Sequence, residues 1–275
     1  MIQLNSAASS LKQLQYKMDT IAHNLSNMDT TAYKRQDVLF SDALNNAMTM
    51  QAGRYEAGRQ TPNGIRVGNG VINSGKATLN EQGSIKTTNR SYDIALMEKS
   101  IYFTVQAGGE SYFTRSGNLD IYYDQTTDRN YLQSSGGARV LDVTGQPIQF
   151  DNDFSSLEIT DQGIVIGRFK NPAKPAVAYS LDLTRIDRPS TLVESGNSRY
   201  QFVGNQAAMI GEGSYEQLIG GQRSNLVLQG AIEQSNVDLT SETAEMIATQ
   251  RLIQSTSRAL SFADDMRGLI NTINR

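Results

Sequence analysis

Two seven-residue repeats, one at each end of the chain, limit what this sequence can fold into. Leu4, Leu11, Met18 and Leu25 recur every seven residues, and Ala7, Leu14, Ile21 and Met28 follow three residues behind them. Apolar side chains on both lines predict a continuous α-helix with an a/d seam that buries against another helix. Neither Pro nor Gly interrupts the chain before Gly53. Near the other end, Leu239, Met246, Ile253 and Leu260 repeat the spacing, and the stripe continues through Ala263, Met266, Ile270 and Ile273. Ser235 and Asp238 stand just ahead as capping residues. A helix from about Leu239 to about Ile273 follows, longer than most globular helices and of coiled-coil or bundle length.

Between the ends the period changes. Ser100–Gln106, Tyr112–Arg115, Leu119–Tyr123, Ala138–Val143, Leu157–Ile159 and Ile164–Phe169 are short, rich in β-branched and aromatic residues, and bounded by Gly, Asn and Asp. These are strand and turn signals. Leu181–Leu183 and Tyr200–Val203 carry shorter versions of the same pattern. Residues 53–75 hold six glycines and a proline and read as an extended connection. The predicted fold class is α+β: long N- and C-terminal helices pairing as a coiled coil, with a β-rich middle domain inserted between them. Residues 1–35 and 231–275 form the terminal helical segment in this reading, 36–78 the connection and 79–230 the β-rich domain.

Composition removes several function classes. The 275 residues are 38% hydrophobic and 19% charged, an ordinary globular balance. The formal net charge is −3 and the basic residues form no blocks, which disfavours nucleic acid and anionic membrane as partners. With no cysteine, a disulfide framework and a thiolate metal site are excluded. No apolar run approaches the roughly 18 residues of a membrane span. The first residues show no cationic region followed by an apolar one, so no secretory signal is expected.

Residues that could carry chemistry have plainer readings. His23 is the only histidine and falls at an outward heptad position without partners for metal or base work. Asp151 and Asp153 lack the glycine and closing glutamate of a calcium loop and read as a turn. The pairs Asp264/Asp265 and Glu242/Glu245 lie on the C-terminal helix, where a solvated face is expected rather than paired catalytic carboxylates. The glycine pairs at 68–70 and 211–213 lack the strand-to-helix setting of a phosphate loop. No cofactor is called for. The e and g positions of the N-terminal repeat are almost uncharged, which suits a crowded bundle better than a two-stranded zipper. Ordering both ends costs more conformational entropy than one pair of stripes returns, so the ends are expected to fold when many copies stack.

Residues 24–35, NLSNMDTTAYKR, resemble the N-terminal signature of flagellar rod and hook proteins, through Asn24, Leu25, Ser26, Asn27, Thr30, Tyr33, Lys34 and Arg35. Ala32 stands where that family usually has glycine. The C-terminal stretch is similar to the family's other signature, through Glu233, Gln234, Ser235, Asn236 and Val237, then Met246, Ile247, Gln250 and Arg251. TTNRSYDIAL and FTRSGNLDI resemble two family segments of the middle, although the glycines usual between them are replaced by Glu98, Lys99 and Ser100. Residues 61–71 resemble a stretch of distal rod proteins.

The resemblance implies a structural subunit, not an enzyme. It implies a hollow axial tube that transmits torque and conducts exported subunits, with copies of itself and neighbouring rod and hook proteins as partners. It also implies export through the flagellar export apparatus, without a cleaved signal, to the basal body. A proximal rod or hook-like paralogue is the close alternative. A secreted β-rich carbohydrate-active enzyme and a surface adhesin or phage-tail-like tube protein are the readings of other classes.

Overall fold

A computed structural model describes residues 2–42, 46–48, 65–67, 71–202, 215–218 and 225–273. Most of 61–71 and the glycine pairs at 68–70 and 211–213 lie outside the described residues, as do the side chains of Leu4, Ile270 and Ile273. The chain forms two compact units. One comprises Met1–Ser26, Gln36–Thr78 and Asp238–Arg275, and the other Asn27–Arg35 and Leu79–Val237.

The first unit holds helix α1, Ile2–Ser26, and helix α2, Leu239–Ile273. Asp238 starts α2: its carboxylate accepts the Thr240 N–H at 3.0 Å and its carbonyl accepts the Glu242 N–H at 3.0 Å. That satisfies amides which a helix N-terminus otherwise leaves bare. An antiparallel ribbon accompanies the helices, pairing Gln36–Asp42 with Val71–Thr78 around a bulge at Leu39/Phe40.

Among the described residues the expected coiled-coil pairing of the two helices is not shown, and the predicted fold class is corrected on that point; two helices and a large β-rich middle remain there. The side of α1 that is covered carries Gln13, Thr20, Ile21 and Asn24. Lys17 on the same side reaches Glu245 of α2 at 2.6 Å, and Asn24 donates to Glu242 at 3.3 Å. Residues 13, 17, 20 and 24 each precede the predicted seam residues 14, 18, 21 and 25 by one, so the covered side is displaced toward polar positions while Ile21 stays buried and Leu14, Met18 and Leu25 half-buried. The seam is therefore largely polar. On α2, the stripe residues Leu239 and Met266 are 49% and 62% exposed, while Glu242 and Thr249 are buried.

The displaced side also meets the ribbon. Asn24 donates to the Gln36 carbonyl at 2.8 Å and accepts the Gln36 N–H at 3.0 Å. This two-way amide clamp orients Asn24 toward the ribbon. Glu242 and Glu245, expected on a solvated face, become the partners of α1.

The second unit is β-rich. Its central strand, Ile101–Ala107, pairs with Glu110–Thr114, Arg139–Val140 and Leu183–Ile186 within a ten-stranded network. Ile101, Phe103 and Val105 enter the main core with Leu119, Leu132, Ile148 and Phe150. Tyr102 points the other way, to Phe113, Ile186, Tyr200 and Phe202. Alternate residues on opposite faces, both covered, explain why this strand reads as a nearly unbroken apolar run. A three-stranded meander, Phe154–Ile159, Ile164–Phe169 and Val177–Ser180, packs beside it. Two small ladders bring the end of the unit back to its start: Ile94–Leu96 with Val227–Gln229, and Ile85–Thr87 with Ala231–Glu233.

Replacing the clamp residue, Asn24→Ala, removes two buried backbone hydrogen bonds and should loosen α1 by about 1–3 kcal/mol. Amide exchange of residues 10–26 in the full chain is the measurement, and faster exchange there is the expected outcome.

Candidate functional site

The three motif-bearing segments meet in the β-rich unit around one carboxylate. Glu233 lies in the last strand before α2, Lys34 in the segment after α1, and Arg115 at the end of a central hairpin strand. The side chains of all three are no more than 1% exposed. Oε1 of Glu233 accepts from Lys34 Nζ and from the Gly83 N–H at 3.0 Å. Oε2 accepts from Arg115 Nε at 3.0 Å and Nη2 at 2.7 Å. Both cations also donate to backbone. Lys34 Nζ reaches the Glu81 carbonyl at 2.6 Å, and Arg115 Nη1 serves the carbonyls of Glu98, Lys99 and Ile101 at 3.0, 2.9 and 2.6 Å.

Backbone contacts frame the cluster. The Ala32 N–H donates to the Glu233 carbonyl at 2.9 Å, and the Asn236 N–H approaches the Tyr33 carbonyl. Asn236 accepts the Arg35 N–H at 2.7 Å and donates to the carbonyls of Leu79 and Glu81 at 2.8 and 3.1 Å. Residues 27–35 are thus a strap held between 79–83 and 231–236. Gly83 is required there, because a Cβ would sit 2.0 Å from the Gln234 carbonyl oxygen. Ala32 is fully buried with φ +57°, a left-handed conformation that glycine adopts without strain. That accounts physically for the glycine expected at this position. The loop 98–100, where family glycines are missing, is held by Arg115 instead.

Electrostatically the cluster is unbalanced, with two cations on one carboxylate. Burial pushes the Lys34 ammonium below its ordinary pKa; Glu233 pulls it back up and Arg115 lowers it further. Burial also raises the Tyr102 phenol, whose ring lies 5.6 Å from the Arg115 guanidinium carbon.

The predicted site residues fall in several places. Asn24, Tyr33, Lys34, Ile21 and Ser235 are buried. Ala7, Leu11, Leu14, Met18, Leu25, Asn27, Met28, Arg35, Asn236, Val237, Met246, Ile253, Leu260 and Ala263 are half-buried, and Thr30, Gln234, Leu239 and Met266 are exposed. The structure brings Tyr33, Lys34 and Arg35 together with Asn236, and leaves Met266 of the α2 stripe open together with Leu252, Phe262 and Leu269 beside it. Arg115 and Glu233 were visible only as letters inside motifs. No local pattern marks them or Lys34 for burial: Lys34 is followed by Arg35 and Glu233 by Gln234. Elsewhere, Lys174 donates to Asp151 at 2.6 Å and holds that carboxyl below its usual range, within a turn closed by the Phe154 N–H on the Asp151 carbonyl. Among the described residues there is no group of three or more His, Cys, Asp or Glu side chains placed to hold a metal, and no helix long and apolar enough to cross a membrane.

Glu233→Gln strands two buried cations and should cost about 3–5 kcal/mol, whereas Lys34→Met leaves a balanced Arg115–Glu233 pair and should cost under about 2 kcal/mol. Denaturant unfolding of the two variants measures the difference. Ala32→Val, a branched side chain in left-handed backbone with no free space, should lose about 2 kcal/mol or more by the same measurement.

Comparison with known proteins agrees with this convergence of motifs. Residues 4–34 match the family described as flagella basal body rod protein, and residues 228–273 match flagellar basal body rod FlgEFG protein C-terminal. The flagellar hook-basal body complex protein FlhP of Bacillus subtilis is 32% identical over 274 residues, covering 98% of this chain and 97% of the relative. Flagellar basal-body rod protein FlgG is 27% identical in Borreliella burgdorferi and 28% in Bacillus subtilis, each covering 98% of this chain and 97% of the relative. A relative of that identity, matched from end to end, carries the conclusion: the chain belongs to the flagellar basal-body rod and hook protein family.

Proposed function

We infer that the protein is a structural subunit of the bacterial flagellar rod, located in the basal body and built into a hollow axial tube by association with copies of itself and neighbouring rod and hook proteins. The observation that carries this reading is the end-to-end match to basal-body rod proteins, including both terminal segments. Its physical support is the outer part of α2. Leu252, Phe262, Met266 and Leu269 are all more than half exposed, and a shallow groove runs over Ala244, Ile247, Ala248, Arg251 and Leu252. Apolar surface of this kind marks an interaction face. The half-buried stripe of α1, the stripe of α2, which where described is half-buried except at Leu239 and Met266, and the exposed Leu252, Phe262 and Leu269 beside it are the assembly residues in this reading. A structural rather than catalytic role belongs to the same inference, as does export through the flagellar export apparatus.

Within the family we favour a distal-rod-like subunit, because residues 61–71 resemble a stretch of distal rod proteins. The hook-basal body relative FlhP, at 32% identity, favours the paralogue reading instead. Imaging basal bodies from a deletion strain separates the two. A rod that stops short supports the distal-rod reading; a complete rod with a failure at the hook junction supports the paralogue.

Removal of residues 245–275 from the full chain should leave the β-rich unit with its native near-ultraviolet circular dichroism while abolishing polymerisation. Sedimentation at assembly concentrations reads the outcome, and polymers formed by the truncated chain would sink the assembly role of α2.

A further inference from the structure

We propose that Glu233 is an anchoring hub that ties the segment next to each helix to the β-rich unit through two separable arms, Lys34 for the N-terminal strap and Arg115 for the turn at 98–101.

The division is written in the hydrogen bonds. One carboxylate oxygen serves the strap side, taking Lys34 Nζ and the Gly83 N–H. The other serves only Arg115. Each cation then spends its remaining donors on a different stretch of backbone: Lys34 on the Glu81 carbonyl, Arg115 on Glu98, Lys99 and Ile101. The two arms share no third partner apart from Glu233 itself.

Stability alone does not explain this arrangement. A buried ion pair is a weak source of stability, and apolar replacements are often as good. A second buried cation makes matters worse by repelling the first, as the influence of Arg115 on Lys34 shows. What the second cation adds is reach, because each arm holds a segment the other cannot touch. The sequence distances are long: 199 residues from Lys34 to Glu233 and 118 from Arg115 to Glu233. The strap continues directly into α1 on one side, and Glu233 lies six residues before the start of α2 on the other. The carboxylate therefore works beside the backbone bonds of the strap and of the last strand, at the point where the segments next to both helices meet. None of this depends on polymerisation, so the hub can be tested in the unassembled chain whatever the outcome for assembly.

Hydrogen–deuterium exchange of the full-length protein is the test, comparing Lys34→Met and Arg115→Met with the parent. Lys34→Met should speed exchange in 27–35 at least tenfold relative to 98–103, and Arg115→Met should do the reverse. In a Glu233→Gln background, adding Lys34→Met should change strap exchange by less than twofold, because the arm is already detached. Crossed release in the two single variants supports the hub. The proposal is overturned if both variants release the same segments together, since the cluster is then one block of core. It is equally overturned if neither segment responds, or if Lys34→Met acts undiminished without the carboxylate. Should the Glu233→Gln chain fail to fold, the two single variants decide alone.

Discussion

A carboxylate shut away from water must find its positive partners inside the protein, and Glu233 finds two. Its oxygens take four donors from three separated stretches of chain, and both cations also donate to backbone carbonyls. Leaving any one of these groups unpaired would carry the full cost of desolvation. The β-rich unit therefore closes around a geometry with little slack. The strap after α1, the turn before the central strand, the Gly83 turn and the last strand before α2 each meet the cluster by a different contact. Left-handed backbone at Ala32 and the close approach at Gly83 are tolerated because this network over-determines the local shape.

The helical unit obeys a different constraint. There a neutral amide, Asn24, lies on the covered side of α1 and exchanges two hydrogen bonds with Gln36. The helix then meets α2 through Lys17, Asn24, Glu242 and Glu245, and the large apolar side chains of outer α2 stay open. A polar seam inside one chain and an apolar stripe left outside it are complementary features in a subunit that must find other copies. The internal contact is satisfied by hydrogen bonds with narrow geometry, while the unspent apolar area remains available to association.

Much of this was legible in advance. Terminal helices, a β-rich middle and the strands at Ile101–Ala107 and Ile164–Phe169 follow from hydrophobic period alone. The signature around Tyr33, Lys34 and Arg35 and its counterpart around Asn236 identified the segments that meet. The strand Arg129–Ser134 escaped notice because its polar residues outnumber its apolar ones, although Tyr131 and Leu132 enter the interior. The stretch Ala138–Val143 shrank to the two residues Arg139–Val140, since Gly145 turns the chain back so that Asp142 takes the Gln146 carbonyl.

By itself the sequence determined the period of each segment, the ends of α2 and the family, because those depend on neighbours a few residues away. Tertiary structure alone decided which line of α1 is buried and which charges lose contact with water. A heptad stripe states that a helix has an apolar side, but the choice of side presented to a neighbour depends on every other group that must be satisfied. Here the covered side of α1 includes Asn24, whose amide exchanges two hydrogen bonds with Gln36, beside Ile21 of the stripe. Likewise, Lys34, Arg115 and Glu233 are ordinary surface-type residues in the one-dimensional text. Only folding, by bringing positions 34, 115 and 233 to hydrogen-bond distance, makes their burial possible.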